Sequence, residues 1–280
     1  MSEKIAGSVK EISATSNPII KNIKALALKK HRDQEKLFLA EGLKLVLDAF
    51  EAGWTIHYLL CTKTDLNNPR IERIAATARA YGAMIIPTNT KVLSHITRRD
   101  NPQNVIGVFK QKFYPLHTLQ AIDKTALFIG LDRVRDPGNL GTIIRTADAI
   151  GAAGVLLIDE TTDPFSFEAV RATMGSLFTV PLYRIKSSDF SNFAQNFQQK
   201  FSGRIIGTHL KGAIDYRSVE YKNSPLLLLM GNEQKGLSEL LAAQCQHLVR
   251  IPQIGQADSL NLAVATGIVL YEMRRHLLTL

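Results

Sequence analysis

The stretch LLLLMGNEQKGLS, residues 226–238, decides the fold class of this chain. Its five leading apolar residues form an unbroken run, which is typical of a strand buried on both faces in a helix-covered parallel sheet. Gly231 and Gly236 then bracket a polar turn directly after the strand. In open parallel sheets ligands bind beyond the carboxyl ends of the strands, so this turn is a candidate site of chemistry.

Four further apolar runs in residues 125–280 repeat this pattern, with helical segments between them. The full set of predicted strands is 126–131, 154–158, 204–207, 226–230 and 248–251. Alternating strands and helices predict an α/β fold with an open, parallel sheet.

Residues 16–110 form a smaller α/β block, in which Asn17-Pro18 is suited to opening a helix. Its other predicted helices are 43–52, 69–81 and 91–96, and its predicted strands are 38–41, 56–61, 83–86 and 105–109. The predicted organisation is therefore a flexible tail at 1–15, a first domain at 16–110, a linker at 111–124 and a second domain at 125–280.

The composition favours a globular protein that binds nucleic acid. Hydrophobic residues make up 45% and charged residues 21% of the 280 residues, which excludes general disorder. The net charge of +9 attracts polyanions, although a basic protein without such a partner is the alternative.

Cysteine usage and hydropathy bear on compartment and metal content. Cys61 and Cys245 are the only cysteines and lie far apart, so we expect no disulfide framework and no metal, and a cytoplasmic location. We expect no transmembrane helix, because no run of about 18 apolar residues occurs, and no signal peptide at the N-terminus.

Residues 132–141, DRVRDPGNLG, form a second polar loop after a predicted strand. In the helix that follows, Arg145 falls outside the predicted apolar stripe of Leu140, Ile143, Ile144 and Ala147. Such an arginine can bind a phosphate or an oxyanion with two parallel hydrogen bonds. A surface pair with Asp148 is the structural alternative.

Residues 252–261, PQIGQADSLN, form the third loop, ahead of a long helix predicted to reach about His276. Asp258 or Ser259 is suited to capping that helix, and a capping role alone for Ser259 and Asn261 is the alternative. Since the chain has no GxGxxG motif, a nicotinamide-dinucleotide enzyme is disfavoured.

Together the three loops resemble the SpoU/TrmH family of RNA 2′-O-ribose methyltransferases, in the SPOUT superfamily. The matching motifs are DPGNLGTIIRTADA at 136–149, MGNEQKGLS at 230–238 and IPQIGQADSLNL at 251–262. The resemblance covers Leu127 to about Glu272. The first domain, with FLAEG at 38–42, resembles the ribosomal-protein-like RNA substrate-binding domain common in this family.

This resemblance implies a trefoil knot in the second domain, a homodimer, and S-adenosyl-L-methionine (AdoMet) bound between the second and third loops. The catalytic positions that it implies are Asn139, Arg145, Glu233, Ser259 and Asn261. The cofactor-binding positions are Thr208, Gly231, Asn232, Ile251 and Leu260. The implied substrate is ribosomal RNA first and transfer RNA second, and a non-catalytic RNA-binding relative is the remaining alternative.

For Arg145 we favour an electrostatic role over that of a base, because deprotonating an arginine at neutral pH costs at least about 7 kcal/mol. Glu233 or a water would then take the proton. Asn139 and Asn261 would orient the ribose or Arg145, and Ser259 would cap the last helix and touch the substrate.

Basic residues of the first domain are candidates for contacts with RNA phosphates, with a solvated basic face as the alternative. They are Lys21, Lys24, Lys29, Lys30, Arg32, Arg98 and Arg99.

Overall fold

The computed structural model describes residues 6–119, 122–209 and 214–279, and the chain forms two compact units. The first unit consists of Met1–Gln111 and Asp163–Phe178, and the second of Lys112–Thr162 and Thr179–Leu280. The sequence-based division left residues 163–178 in the second domain, because they lie between two of its strands. In the structure they pack within the first unit.

A mixed four-stranded sheet forms the centre of the first unit, in the order β1-β4-β2-β3. Strand β4 runs antiparallel to both β1 and β2, whereas β2 and β3 are parallel. The strands are β1 (Leu37–Glu41), β2 (Ile56–Thr62), β3 (Met84–Thr88) and β4 (Val105–Lys110). The helices are α1 (Pro18–Ala25), α2 (Lys29–Glu35), α3 (Leu43–Glu51), α4 (Pro69–Ala80), α5 (Thr90–Thr97) and α7 (Phe167–Ala172).

Local capping explains why two of these helices begin where the sequence predicts. The side chain of Asn17 accepts a hydrogen bond from the N–H of Ile19 at 2.9 Å, and Pro18 occupies the first helical position of α1. Asn68 and Pro69 open α4 in the same way. An asparagine cap followed by proline satisfies one free N–H and removes another, so both starts are confirmed.

Helix α2 lies in a basic stretch that the sequence analysis left without structure. It carries Arg32, only 4% exposed, whose Nε donates to Oδ2 of Asp163 at 2.7 Å. The same guanidinium donates to the carbonyls of Leu26 and Ala27. The prediction of Arg32 as an RNA contact is therefore corrected, because its charge and donors are used inside the first unit.

Segment 163–178 also completes an aromatic cluster in the first unit. The ring centroids of Phe165 and Phe38 lie 4.8 Å apart, and Trp54 packs edge-on against Phe178 at 5.3 Å. The Trp54 indole N–H donates to the Phe178 carbonyl at 2.9 Å. Such contacts add to the burial of large apolar surfaces, so this segment forms part of the first unit's core.

A seven-stranded parallel sheet forms the second unit, in the order β7-β6-β5-β10-β8-β11-β9. The strands are β5 (Leu127–Asp132), β6 (Gly154–Ile158), β7 (Leu182–Ile185), β8 (Arg204–Thr208), β9 (Ile214–Asp215), β10 (Leu226–Met230) and β11 (His247–Arg250). The helices are α6 (Pro137–Ala149), α8 (Ser187–Phe201), α9 (Glu239–Ala242) and α10 (Leu262–Arg274).

The predicted parallel α/β sheet is confirmed, since β5, β6 and β10 are buried along their whole length. Strands β7 and β9 escaped prediction, because the exposed Arg184 interrupts the apolar residues of β7 and β9 spans only two residues. The trefoil knot stays a prediction. Among the described residues, no helix has both the length and the apolarity needed to cross a bilayer.

Replacing Asp163 by Ala is expected to lower the free energy of unfolding by about 3–5 kcal/mol, because it leaves the Arg32 guanidinium buried without its counter-charge. Urea denaturation followed by the fluorescence of Trp54, the single tryptophan, measures this change. The control is Lys63→Ala, which breaks an exposed bridge to Glu11 and should cost less than about 1 kcal/mol. Equal midpoints for the two variants would contradict the expectation.

Candidate functional site

Four adjacent strands bring the three motif loops to one edge of the second unit's sheet. Strands β5, β10, β8 and β11 are neighbours in that order and all run parallel. Because the carboxyl ends of parallel strands share one edge, the loops that follow β5, β10 and β11 begin side by side there. Thr208 ends β8 at the same edge, half-buried, with its hydroxyl 3.5 Å from the Leu229 carbonyl oxygen.

Asp132, at the end of β5, is a fully buried carboxylate that the sequence analysis did not single out. Its oxygens accept from the Arg133 guanidinium at 2.6 and 3.0 Å and from the N–H of Ser238 at 2.8 Å. A buried charge is tolerated only when it is paired and hydrogen-bonded, as here. Asp132 thus ties the loop after β5 to the loop after β10. The sequence signal that could have identified Asp132 is a charged residue at the end of an unbroken apolar run.

The loop after β10 is a tight turn held by its own backbone and by Asn232. The N–H and carbonyl groups of Asn232 and Gly236 exchange hydrogen bonds at 3.0 and 2.9 Å. A side chain at Gly231 would collide with the backbone of Gly236 and Leu237, so glycine is required there. The buried Asn232 side chain donates to the Arg133 carbonyl at 2.7 Å. The sequence analysis placed Asn232 among the cofactor-binding residues. In the structure its side chain holds this loop in shape.

The loop after β5 is shorter than the sequence indicated, because α6 already begins at Pro137. Asp136 caps the helix by accepting from the N–H of Asn139 at 2.6 Å, and Pro137 takes the first helical position. The prediction that this loop extends to residue 141 was therefore wrong. Asp followed by Pro is a helix-start signal that was present in the sequence.

Three of the predicted catalytic residues form one chain of hydrogen bonds. The Asn261 side-chain amide donates to Oδ1 of Asn139 at 2.9 Å, and the Asn139 amide donates to Oε1 of Glu233 at 3.2 Å. These residues are 122 and 94 positions apart in sequence, respectively. Each comes from a different motif, with Asn139 in the first turn of α6, so the network joins the three motifs at one point.

Glu233 is held by three donors in total. Besides the Asn139 amide, the backbone N–H groups of Arg135 and Asp136 donate to its two carboxylate oxygens at 3.2 Å. Partial burial acts to raise the pKa of Glu233, but the hydrogen bonds from the backbone and from Asn139 outweigh it and lower the pKa below its usual 4.5. A carboxylate with a lowered pKa and occupied oxygens is a weaker base and a firmer structural anchor.

Arg145 stands apart from this network. It lies on the exposed face of α6, away from the buried stripe of Leu140, Gly141, Ile143, Ile144 and Ala147. Among the residues that the structure describes, none forms a hydrogen bond or ion pair with its guanidinium. The alternative pair with Asp148 is not formed, and Asp148 instead accepts from the Thr179 hydroxyl at 3.0 Å. All of Arg145's donors therefore remain available.

Asn261, and not Asp258 or Ser259, caps the last helix. Its side-chain oxygen accepts from the N–H groups of Ala263 and Val264 at 2.9 and 3.2 Å, and α10 begins at Leu262. The prediction that Ser259 caps this helix was wrong, because the chain stays irregular until Asn261. Ser259 is exposed in this loop, and Asn261 both caps the helix and enters the network.

The loop after β11 offers polar groups for a ligand. Within the described chain, the backbone N–H and C=O groups of residues 252–260 form no hydrogen bond with the protein. Ile251 is half-buried and Leu260 is 36% exposed, so apolar side chains flank these groups. Free backbone groups beside apolar side chains suit a ligand such as AdoMet, which combines an adenine ring with polar ribose and amino-acid groups.

The candidate RNA-contacting residues of the first unit divide into three groups. Lys21, Lys29, Lys30 and Arg98 are exposed. Lys24 and Arg99 are half-buried and partnered, Lys24 by His95 and Arg99 by the carboxylate of Glu41 at 3.2 Å. Only Arg32 is buried away from any ligand.

Comparison with family models gives two matches along the chain. Residues 126–271 match the model described as SpoU rRNA Methylase family. Residues 17–107 match the model described as MRM3-like substrate binding domain. The two matches leave residues 108–125 between them.

The chain is similar over nearly its whole length to proteins with assigned names and to solved structures. It is 32% identical to the 23S rRNA (guanosine(2553)-2'-O)-methyltransferase RlmP of Bacillus subtilis, covering 95% of this chain and 100% of that protein. An AdoMet-bound rRNA methyltransferase from Sinorhizobium meliloti shares 52% identity with a TM-score of 0.90, covering 97% of this chain and 99% of that one. The AdoMet complex of the SpoU methyltransferase AviRb from Streptomyces viridochromogenes shares 28% identity with a TM-score of 0.83, covering 93% of this chain and 98% of that one.

Replacing Glu233 by Gln should cost stability in a pH-dependent way. Because the folded-state pKa of Glu233 lies below its usual value, its carboxylate stabilises the fold above about pH 4.5, and that contribution is lost as the pH falls through the lower folded-state pKa. The difference in unfolding free energy between the wild type and Glu233→Gln should therefore be largest near neutral pH and shrink in acid.

Urea denaturation followed by circular dichroism between about pH 7 and pH 3 measures this difference. Glu160→Gln is the control, since Glu160 is exposed and forms no ion pair with a described residue. A difference that grows as the pH falls would rule out the anchoring role of Glu233.

Proposed function

The chain belongs to the SpoU rRNA methylase family, and on this premise we propose that it transfers the methyl group of AdoMet to a ribose 2′-hydroxyl of ribosomal RNA. The observation that carries the proposal is the hydrogen-bonded chain of Asn261, Asn139 and Glu233, which joins the three sequence motifs at one sheet edge. RlmP, the relative described above, is named for the same reaction on 23S rRNA.

AdoMet supplies an electrophilic methyl group on a positively charged sulfur. We assign its binding to the loops after β10 and β11, with Gly231, Ile251 and Leu260 offering backbone groups, since none has a hydrogen-bonding side chain. Asn232 contributes by holding the first of these loops in shape, and Thr208 adds a hydroxyl from β8. The free backbone groups of residues 252–260 support this assignment.

Arg145 is assigned to the RNA. A ribose 2′-hydroxyl is a weak acid, so negative charge that develops on its oxygen needs stabilisation by donors already in place. The Arg145 guanidinium is exposed and keeps all of its donors, which suits a two-pronged contact with a neighbouring phosphate or the attacking oxygen. The exposed Ser259 hydroxyl is assigned to contact the same substrate.

Water is the better candidate for the proton acceptor than Glu233. The three hydrogen bonds to Glu233 and its lowered pKa make its carboxylate a poor base. We therefore assign Glu233 to positioning, acting through Asn139. Both asparagines then present fixed polar groups to the ribose, and their mutual hydrogen bond fixes how the two amides face each other.

A homodimer is part of the proposal. Val264, Ile268 and Tyr271 follow one another at i, i+4 and i+7 on α10, and Val264 and Tyr271 are 52% and 51% exposed. This spacing places them in one stripe along the helix. A two-fold dimer pairs the same surface of both copies, so such a stripe can be covered by its counterpart.

We also propose a cytoplasmic location, with which the free thiols of Cys61 and Cys245 agree.

Replacing Arg145 by Ala should lower kcat for methylation of unmodified ribosomal RNA by about 10²–10³-fold, because donors to the developing negative charge are lost. AdoMet affinity should not change. Arg145→Lys keeps the charge but loses the planar pair of donors, so its activity should be intermediate. Tritium transfer from labelled AdoMet measures the rate, and calorimetry measures cofactor binding.

The matched control is Arg184→Ala, since Arg184 is also exposed but lies on β7, at the far edge of the sheet order. It should retain wild-type activity. Full activity of Arg145→Lys would exclude a bidentate contact, that is, one made through two parallel hydrogen bonds of the guanidinium. No methyl transfer by the wild type to any ribosomal RNA would exclude the proposed function itself.

Replacing Tyr271 by Glu should convert the dimer into a monomer, because it buries a charge in the proposed apolar interface. Sedimentation velocity measures the oligomeric state. Gln195→Glu adds a charge on the exposed face of α8 and should leave the dimer intact. Identical sedimentation of the two variants would show that this stripe is not the dimer interface.

A further inference from the structure

Helices α6 and α10 pack against each other and are joined by side chains at both ends. At their starts, the Asn261 amide donates to Oδ1 of Asn139 at 2.9 Å. At their ends, Arg274, the last residue of α10, donates through Nη2 to the carbonyl of Gly151 at 3.0 Å. Gly151 is the second residue after α6. The two helices therefore run in the same direction and are held together at two separate points.

The Arg274 guanidinium bridges two segments of the backbone. Besides the Gly151 carbonyl, it donates through Nη1 to the carbonyl of Thr125, just ahead of β5. Because Thr125 and Gly151 both precede strands of the sheet, this contact lies at the edge opposite to the motif loops. Arg274 thus links the end of α6 to the start of β5 without taking part in the network of Asn139.

The charge of Arg274 lies in an unfavourable place. The residue is 8% exposed and forms no ion pair within the described part of the chain. Its Nε is buried and has no hydrogen-bond partner among the described residues. Burial lowers the pKa of this guanidinium below its usual value, because desolvation disfavours the charged form.

Stability alone does not explain an arginine at this position. Burying a cation without a counter-charge is costly, and even paired buried charges can often be replaced by apolar residues without loss of stability. Thr125 and Gly151 are both exposed, so water can bind their carbonyl groups if Arg274 is removed. An apolar side chain could fill the same volume but could not link the two carbonyls. The distinctive contribution of Arg274 is therefore geometric.

The first turn of α6 is held more firmly than its last turn. Asn139 is engaged through both its N–H and its side chain. The end of the helix is held by the Arg274 contact and by the hydrogen bond from the Thr179 hydroxyl to Asp148 at 3.0 Å. Arg145 lies in the second half of the helix. Loss of the Arg274 contact would therefore let Arg145 shift while Asn139 stays in place.

We propose that Arg274 is a positioning residue for methyl transfer, which holds the end of α6 so that Arg145 faces the substrate. The inference rests on the proposed function, in which Arg145 stabilises the charge that develops on the ribose oxygen. The 13 residues of α6 span about 20 Å, and the helical hydrogen bonds carry the constraint along this length. A misplacement of about 1 Å can lower a rate by about 10²-fold.

A purely stabilising role for Arg274 makes a different forecast. The Gly151 carbonyl lies at the negative end of the α6 dipole, where a cation interacts favourably. If that were its whole contribution, removing Arg274 would lower the stability and leave the kcat of the folded enzyme unchanged.

The test compares Arg274→Met with Arg204→Met in the full chain. Arg204 is the matched control, because its guanidinium also donates to two backbone carbonyls, those of Glu220 and Lys222, but it lies at the start of β8. Tritium transfer from labelled AdoMet to unmodified ribosomal RNA measures kcat and KM. Calorimetry measures AdoMet affinity, and urea denaturation measures stability.

Arg274→Met should lower kcat by about 10-fold, less than a full misplacement because the Asp148 tether remains. The KM for RNA, the AdoMet affinity and the urea midpoint should match the wild type, and Arg204→Met should keep the wild-type kcat. In an Arg145→Ala background, Arg274→Met should cause no further loss of kcat, because the group that it positions is already absent.

Arg274→Lys keeps the charge but loses the planar pair of donors, so its kcat should lie between those of the wild type and Arg274→Met. This variant carries the test if Arg274→Met does not fold. Hydrogen exchange adds a readout that is independent of activity. The amides of residues 145–151 should exchange faster in the Arg274 variants than in the wild type, and those of residues 137–141 should not change.

Four results would overturn the assignment: wild-type kcat in the Arg274 variants, an equal loss of kcat in Arg204→Met, an undiminished loss in the Arg145→Ala background, or unchanged exchange throughout α6. Each is separate from failure of the proposed function, which would appear as an absence of methyl transfer by the wild type.

Discussion

Parallel pairing of β10 with β5 on one side and β8 on the other sets the position of everything at the candidate site. In this register Met230 lies opposite Leu131, and Leu229 lies opposite Gly207, so the three strands end at nearly the same level. The polar residues that follow must then emerge together. A slip of one residue would turn every side chain to the other face of the sheet and separate Asp132 from the Ser238 N–H.

On this edge the polar residues have two kinds of role. Asn139, Glu233 and Asn261 are bonded to one another and to backbone N–H groups, so their positions are fixed before any ligand arrives. Arg145 is exposed and its guanidinium has no hydrogen-bond partner among the described residues, as the proposed RNA contact requires. This division suits a reaction that needs both an ordered frame and a group free to bind a phosphate, because donors already in place cost little reorganisation.

Sequence reasoning predicted the features that depend on neighbours in the chain. Apolar runs gave the buried strands, and Asn17-Pro18 marked a helix start through local capping. It was wrong about Arg32 and could not foresee the partner of Arg99, because distant segments supply the partners of both. The Arg32 guanidinium is bonded to Asp163, which is 131 residues away, and the Arg99 guanidinium is bonded to Glu41, which is 58 residues away. No local pattern distinguishes these arginines from Arg98. The prediction of which residue caps α10 was wrong for another reason. Asp258, Ser259 and Asn261 are all good caps by residue type, so residue type alone could not distinguish them.

The saturation of Glu233 also bears on the electrostatics of the proposed reaction. In the proposed reaction, an O–C bond to the methyl group would form as the C–S bond breaks, so the negative charge on the oxygen and the positive charge on the sulfur would both diminish and the transition state would be less polar than the separated ions. An unscreened carboxylate beside the sulfonium would stabilise the starting cation more than the transition state and so slow the step. Instead, the negative charge of Glu233 is screened by the three hydrogen bonds that its oxygens accept. The bonds that make Glu233 a poor base would therefore also weaken its attraction for a methyl donor bound nearby, which agrees with our proposal that Glu233 holds Asn139 in place.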